Sequence, residues 1–287
     1  TNLRSLGSLP SGLRGKNLVL AGDSNDRKFV EYLCGSAGAP VSTVPELRGR
    51  LGPVAFQLPM QSHFCHFPAH NMSVMNLFHM GVTSLEYSPT RRECMERIVE
   101  NLPAYRSPGP AAHPNSSIEL AQLWADAIRD NLPPRPVVLV AHSALWDSSC
   151  FFSYGKEHHA QPVNPVSAGW LRHATSFLEA LQKELSPEQL YWRTNPNCPL
   201  SGGSTDQMEF YRRVSSTTNH EVHTAISGAQ GPWRNVGLVE WSREYRANKI
   251  PQCQWIHYQG EGYKAYLAAL RAALHESALK RGNSSGR

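Results

Sequence analysis

No apolar run in this 287-residue chain approaches the roughly 18 residues that a membrane-spanning helix needs, so no transmembrane segment is expected within it. The phosphate-cradling pattern G-x-x-x-x-G-K and the dinucleotide fingerprint are both missing, so no cofactor is expected either. Charged residues make up only 18% of the chain, and its net charge of +5 is scattered rather than gathered into a stripe. A nucleic-acid partner is therefore not expected. None of the six cysteines forms a C-x-x-C pair. The histidines His63, His66 and His70 lack both an acidic partner at helical spacing and a cysteine framework, so no metal site is expected.

What is present points to an oxidising compartment. The cysteines Cys34, Cys65, Cys94, Cys150, Cys198 and Cys253 are even in number and widely spread, as disulfide-forming residues often are. Three sequons, beginning at Asn71, Asn115 and Asn283, are candidate glycan carriers. Together these features favour an extracellular or secretory-pathway setting. The chain starts at Thr1 rather than methionine, which leaves room for a signal peptide or anchor upstream.

Periodicity gives the architecture. Asn17-Leu-Val-Leu-Ala21 reads as a buried strand and 27–34 as an amphipathic helix, with a Gly/Pro-punctuated stretch following from Gly35 to Pro59. A strand is expected within 73–81, a Pro/Ser-rich loop over 103–117, a helix over 118–128 and a buried strand over 136–141. Further on, 169–185 reads as a helix, Ser186-Pro-Glu-Gln189 as a capping box, and 190–194 as a strand. A helix covering 206–214, a strand over 236–241 and a closing helix over 262–280 complete the pattern. That last helix carries Tyr263, Tyr266, Leu267, Leu270, Ala273 and Leu274 on one face. Alternating helices and short buried strands predict an α/β fold whose mostly parallel central sheet is covered on both faces, as one domain over 1–287 with loop insertions.

The stretch LVLAGDSNDR, residues 18–27, places Ser24 where a strand gives way to a helix. There a serine serves either as a helix cap or as a nucleophile presented in the crevice where open α/β sheets bind ligands. Gly22-Asp23-Ser24 with Arg27 resembles the G-D-S-x-x-R block of GDSL/SGNH hydrolases, especially their PC-esterase branch, which includes the trichome-birefringence-like polysaccharide O-acetyltransferases. His142-Ser-Ala-Leu-Trp-Asp147 resembles that branch's S-x-L-W-D segment, and His257-Tyr-Gln-Gly-Glu-Gly-Tyr263 its histidine block. Tyr191-Trp-Arg-Thr194 resembles, less specifically, the strand before that last block.

The resemblance implies a three-layer SGNH-hydrolase-like fold, with Ser24 as nucleophile and His257 as the base that takes its proton. It also implies oxyanion donors at the Ser24 N–H and at Gly81, with Arg27 and Asp23 supporting the site. The substrate it implies is a carbohydrate or polysaccharide ester, with an acyl donor that the residues do not identify and with water or a sugar hydroxyl as acceptor. Two positions depart from the family pattern. Gln254 stands where D-x-x-H has its aspartate, so Glu240, Asp206 or Glu261 would have to orient the histidine; His142 stands where an amide donor is usual. These departures keep a second reading open, a non-catalytic glycoprotein of the same fold that binds carbohydrate or builds an extracellular assembly. For the remaining positions of the segment, Trp146 reads as core and Asp147 as a turn-holding carboxylate.

Overall fold

The computed structural model describes residues 9–44, 62–79, 81–82, 116–144, 147, 169–196, 200–201, 205–229, 231–250, 253–254, 258 and 260–284. Expectations for the loop at 103–115, for Asn115, Trp146 and His257, and for Cys94, Cys150 and Cys198 lie outside the described residues.

Nine strands are described: β1 (Asn17–Gly22), β2 (Ser42–Thr43), β3 (His63–Phe67), β4 (Met72–Phe78), β5 (Val137–Ala141), β6 (Gln189–Arg193), β7 (Leu200–Ser201), β8 (Val236–Val239) and β9 (Cys253–Gln254). Seven of them form one sheet in the order β2-β3-β4-β1-β5-β6-β8. From β4 through β8 the strands run parallel, whereas β3 pairs antiparallel with β4 and β2 antiparallel with β3. The chain passes from β1 to β4 on one side and then to β5 on the other, so the direction of winding reverses at β1. Open α/β sheets bind ligands at such a reversal, beyond the carboxyl ends of the strands.

Six α-helices are described beside the sheet: α1 (Ser24–Ser36), α2 (Ser117–Asn131), α3 (Trp170–Leu185), α4 (Thr205–Ser227), α5 (Trp241–Ala247) and α6 (Gly260–Ser284). Strand residues alternate between two cores. Leu18 and Leu20 of β1 pack with α1, α5 and α6, while Val19 and Ala21 pack with α2 and α3. The result is a three-layer α/β fold, as the periodicity implies. The predicted apolar face of α6 is buried throughout, from Tyr263 to Leu274, and each large aliphatic side chain it hides contributes about 1.5–3 kcal/mol. A disulfide joins Cys34 in the last turn of α1 to Cys65 of β3.

Several elements differ from expectation. Ser186 is not a helix start but the C-cap of α3 in the left-handed region, with φ 43°, and Gln189 opens a strand. Helix α4 runs 13 residues past the predicted Val214, because Thr218 returns its hydroxyl to the Val214 carbonyl and Asn219 is used to hold Asn195. Strand β8 stops at Val239, and Trp241 instead opens α5, its indole N–H donating to the Gly262 carbonyl. No helix among the described residues is long and apolar enough to cross a membrane.

Candidate functional site

Strand β1 ends in Gly22, and the next residue, Asp23, caps α1. The Asp23 carboxylate accepts from the Asn25 amide at 2.7 Å, and the Asp23 amide in turn donates to Asp26 Oδ2 at 3.2 Å. This reciprocal pair is a capping box made by two aspartates. The cap reading of Ser24 is therefore corrected: Asp23 takes that role, and Ser24 is the first residue of the helix. Ser24 stands at the carboxyl end of β1, beside the reversal of winding and at the positive end of the α1 dipole. It is only 1% exposed.

Glycine at position 22 is required by the cap. A β-carbon there would lie 1.9 Å from Asp26 Oδ2, so only glycine lets that carboxylate fold back over the strand end. Asp26 is held in place from three directions. Its Oδ2 takes the Asp23 N–H and Arg193 Nη2 at 2.8 Å, and its Oδ1 accepts from the Tyr266 hydroxyl at 2.9 Å. Arg193 is the last residue of β6 and wholly buried, its guanidinium 4.8 Å from the Trp241 ring centroid and 5.3 Å from that of Tyr266. Burial would lower the Arg193 pKa, but the Asp26 carboxylate, Tyr266 and Asp23 beside it raise it further.

His142, the residue after β5, completes this corner. Its Nδ1 faces the Arg193 carbonyl at 3.0 Å, and since a carbonyl only accepts, Nδ1 carries a proton. Its Nε2 lies 3.4 Å from Asp23 Oδ2, an ion-pair distance without the alignment of a good hydrogen bond. A proton on Nε2 as well would make this contact attractive. Burial pushes the Asp23 carboxyl up, but the His142 contact and the Arg193 charge outweigh it and hold that carboxyl well below its usual range.

A second corner lies across β4 and β5. His79, directly after β4, donates from Nε2 to the His142 carbonyl at 2.7 Å and accepts the Gly81 N–H on Nδ1 at 3.1 Å. Burial lowers the His79 pKa. Gly81 has φ 96°, and a β-carbon on it would meet Asp147 Oδ1 at 2.5 Å. Asp147 is buried and accepts on Oδ2 from the Ser143 hydroxyl and, at 3.1 Å, from the Trp170 indole N–H. Ser143 Oγ meanwhile accepts the Val82 N–H at 2.9 Å. Asp147 thus links Ser143, just after β5, to Trp170 at the start of α3. The Gly81 N–H, read from sequence as an oxyanion donor, is engaged with His79.

The structure brings Asp23, Ser24 and His142 to one edge of the sheet, with Arg27 in the first turn of the same helix. Arg27 donates from Nη1 to Glu31, one turn further along α1. Gln254 lies in β9, which pairs in parallel with β7. Glu240 binds His223 Nε2 at 2.9 Å, Glu261 binds Lys264, and Asp206 is exposed in the first turn of α4. Each of the three proposed replacements for the missing aspartate thus has its own setting.

Asn71 is exposed at φ 48° between a short 3-10 turn and β4, and Asn283 lies in the last turn of α6. His63 pairs with Glu31 at 3.1 Å and His66 with the Ser73 hydroxyl at 2.8 Å. Among the described residues no group of three or more His, Cys, Asp or Glu side chains is arranged to hold a metal ion.

Sequence reasoning passed over Asp26, Arg193, Tyr266 and His79. Two of them left a signal: aspartates three apart at a helix start are a capping box, and an arginine inside the aromatic run Leu190-Tyr-Trp-Arg193 needs a buried anion. Compared with known proteins, the chain matches no family model and no curated sequence.

Proposed function

We propose that the chain is a serine-dependent carbohydrate O-acyl esterase or O-acetyltransferase of the SGNH type, related to the PC-esterase branch and working in an extracellular or secretory setting. The observation that carries this reading is the position of Ser24, on the first turn of α1 at the carboxyl edge of the sheet where the winding reverses. A hydroxyl there attacks an ester carbonyl as an imidazole, a role that falls to His257, takes its proton. The ester C–O bond then breaks, the imidazolium returns that proton to the departing alcohol, and the acyl group stays on the serine oxygen. The acyl-enzyme then passes its acetyl group to water or to a sugar hydroxyl. Helix α1 directs its positive end at the oxyanion that forms, and the Ser24 N–H is the proposed donor.

Purified protein incubated with an activated acetyl ester and with an acetylated glycan tests the reading directly. Ser24→Ala should lower turnover by at least about 10³-fold, as loss of an acyl-transfer nucleophile does. Equal turnover by the two proteins would sink the proposal.

A second reading, a non-catalytic carbohydrate-binding glycoprotein of the same fold, is favoured by Gln254 in place of the histidine-orienting aspartate and by the deep burial of Ser24. In that case a Ser24→Ala, His257→Ala double variant would bind glycan as the unaltered chain does.

A further inference from the structure

Arg193 is placed where stability alone gives little reason for a charge. Burying a guanidinium among aromatic rings is costly, and an apolar residue of similar size often serves a core as well or better. The cost is visible here: among the described residues Nε and Nη1 have no hydrogen-bond partner, and Nη2 makes the guanidinium's hydrogen bond. That one nitrogen lies 2.8 Å from Asp26 Oδ2 and 3.8 Å from Asp23 Oδ1, so it faces both carboxylates of the capping box. Between those two aspartates in the chain stands Ser24. The main chain of the same residue also acts on the site, since the Arg193 carbonyl fixes the His142 ring whose other nitrogen faces Asp23.

Resting on the esterase reading of Ser24, we propose that Arg193 is a positioning residue whose guanidinium ties both carboxylates of the α1 cap to the end of β6 and thereby fixes where the Ser24 hydroxyl stands. Without this tie, the two carboxylates lie next to each other with no cation between them. Their repulsion would loosen the turn from Gly22 to Arg27, and a nucleophile displaced by about 1 Å loses on the order of 10²-fold in rate. Asp26 takes part through the same bond, and Tyr266 closes the cage from α6.

The test compares Arg193→Met, which keeps the stem and removes the charge, with Arg193→Lys, which keeps a cation, and with Arg193→Met/Asp26→Asn, which removes one charge of each sign. Turnover of an activated acetyl ester is measured alongside amide hydrogen exchange of residues 24–27. Arg193→Met is expected to lower kcat about 10²-fold with KM within about twofold, while Arg193→Lys returns to within about tenfold of the unaltered chain. Exchange at 24–27 should quicken in Arg193→Met, with 18–21 in β1 unchanged. The double variant, which removes one carboxylate together with the guanidinium and so relieves the repulsion between the carboxylates, should regain melting temperature. Without the bridge from the α1 cap to the end of β6 it should not regain kcat, and it supplies the measurement if Arg193→Met fails to fold. Unaltered kcat in a folded charge-less variant, equal losses in Lys and Met, or unchanged exchange at 24–27 would each overturn the proposal. Should the unaltered chain turn over no faster than Ser24→Ala, the esterase reading falls by itself, and the exchange data still decide whether Arg193 holds the turn.

Discussion

Two corners at the carboxyl edge of the sheet use the same device with different chemistry. Each packs a glycine directly against a buried aspartate, Gly22 against Asp26 and Gly81 against Asp147, so that in both the carboxylate occupies the space of an absent side chain. At the first corner the carboxylate is bridged by an arginine and a tyrosine hydroxyl, and a second aspartate lies beside it. At the second, a serine hydroxyl and an indole N–H reach Asp147. The corner that carries the candidate nucleophile is thus held by ion pairing, whereas the donors described at the other are uncharged. Charge-assisted hydrogen bonds are shorter and stronger than neutral ones, but they leave an uncompensated ion when either partner is removed.

The sharpest way to break the comparison is Asp26→Ala. Among the described residues it leaves the buried Arg193 with Asp23, 3.8 Å away, as its carboxylate partner, and loss of one partner from a buried pair costs about 3–5 kcal/mol. Urea unfolding should show a loss of unfolding free energy of that size. A shift under about 1 kcal/mol would mean that water already reaches the guanidinium.

The two glycines then separate steric from conformational cost. Gly81→Ala meets the Asp147 carboxylate and also a φ of 96°, so a loss of about 2–3 kcal/mol is expected. Gly22→Ala meets only the Asp26 carboxylate, since its φ is not in the left-handed region. Its cost should therefore largely vanish when combined with Asp26→Ala, whereas Gly81→Ala should remain costly in that background. A double-mutant cycle reads this directly, and additivity of Gly22→Ala with Asp26→Ala would contradict the packing described above.

These pairings also explain what the sequence does and does not disclose. Strand β1 and the buried face of α6 are legible because their apolar residues recur at the period of the element. Strand β3 is less legible: Cys65 and Phe67 are buried and His66 is exposed, but the alternation runs over only five residues, two of them histidines that read as polar positions. Helix α4 continues through Ser215-Ser-Thr-Thr-Asn219, a run of weak helix formers, because its polar side chains find partners in their own helix and in the segment after β6. The turn from Gly22 to Arg27 is legible as a motif, but the bond from Asp26 to Arg193 spans 167 positions, and no local pattern reports a contact of that separation.

Acid sensitivity gives the smallest and most specific difference. Glu31, on the same helix as the charged corner, contacts Arg27, Lys28 and His63. Burial raises its pKa, but the His63 and Lys28 hydrogen bonds and the Arg27 charge prevail, bringing it down to about 2 from an ordinary 4.5. A carboxyl whose folded pKa is depressed contributes stability that is fully present above the unfolded value and is lost as pH falls through the folded one. Between about pH 5 and pH 2 the chain should therefore lose stability, and Glu31→Gln should flatten part of that fall while costing stability at neutral pH. Because Glu31 is partly exposed, solvent screening reduces its share to about 1 kcal/mol. Asp23, deeply buried and depressed further, should continue the fall at lower pH, so Glu31→Gln ought to reduce the slope without abolishing it. Unfolding midpoints measured across this range in both proteins check the sign. A slope unchanged by Glu31→Gln would place the acid sensitivity wholly in the Asp23–Asp26 turn, and would make the charge contrast between the two corners larger than the pairings of α1 alone require.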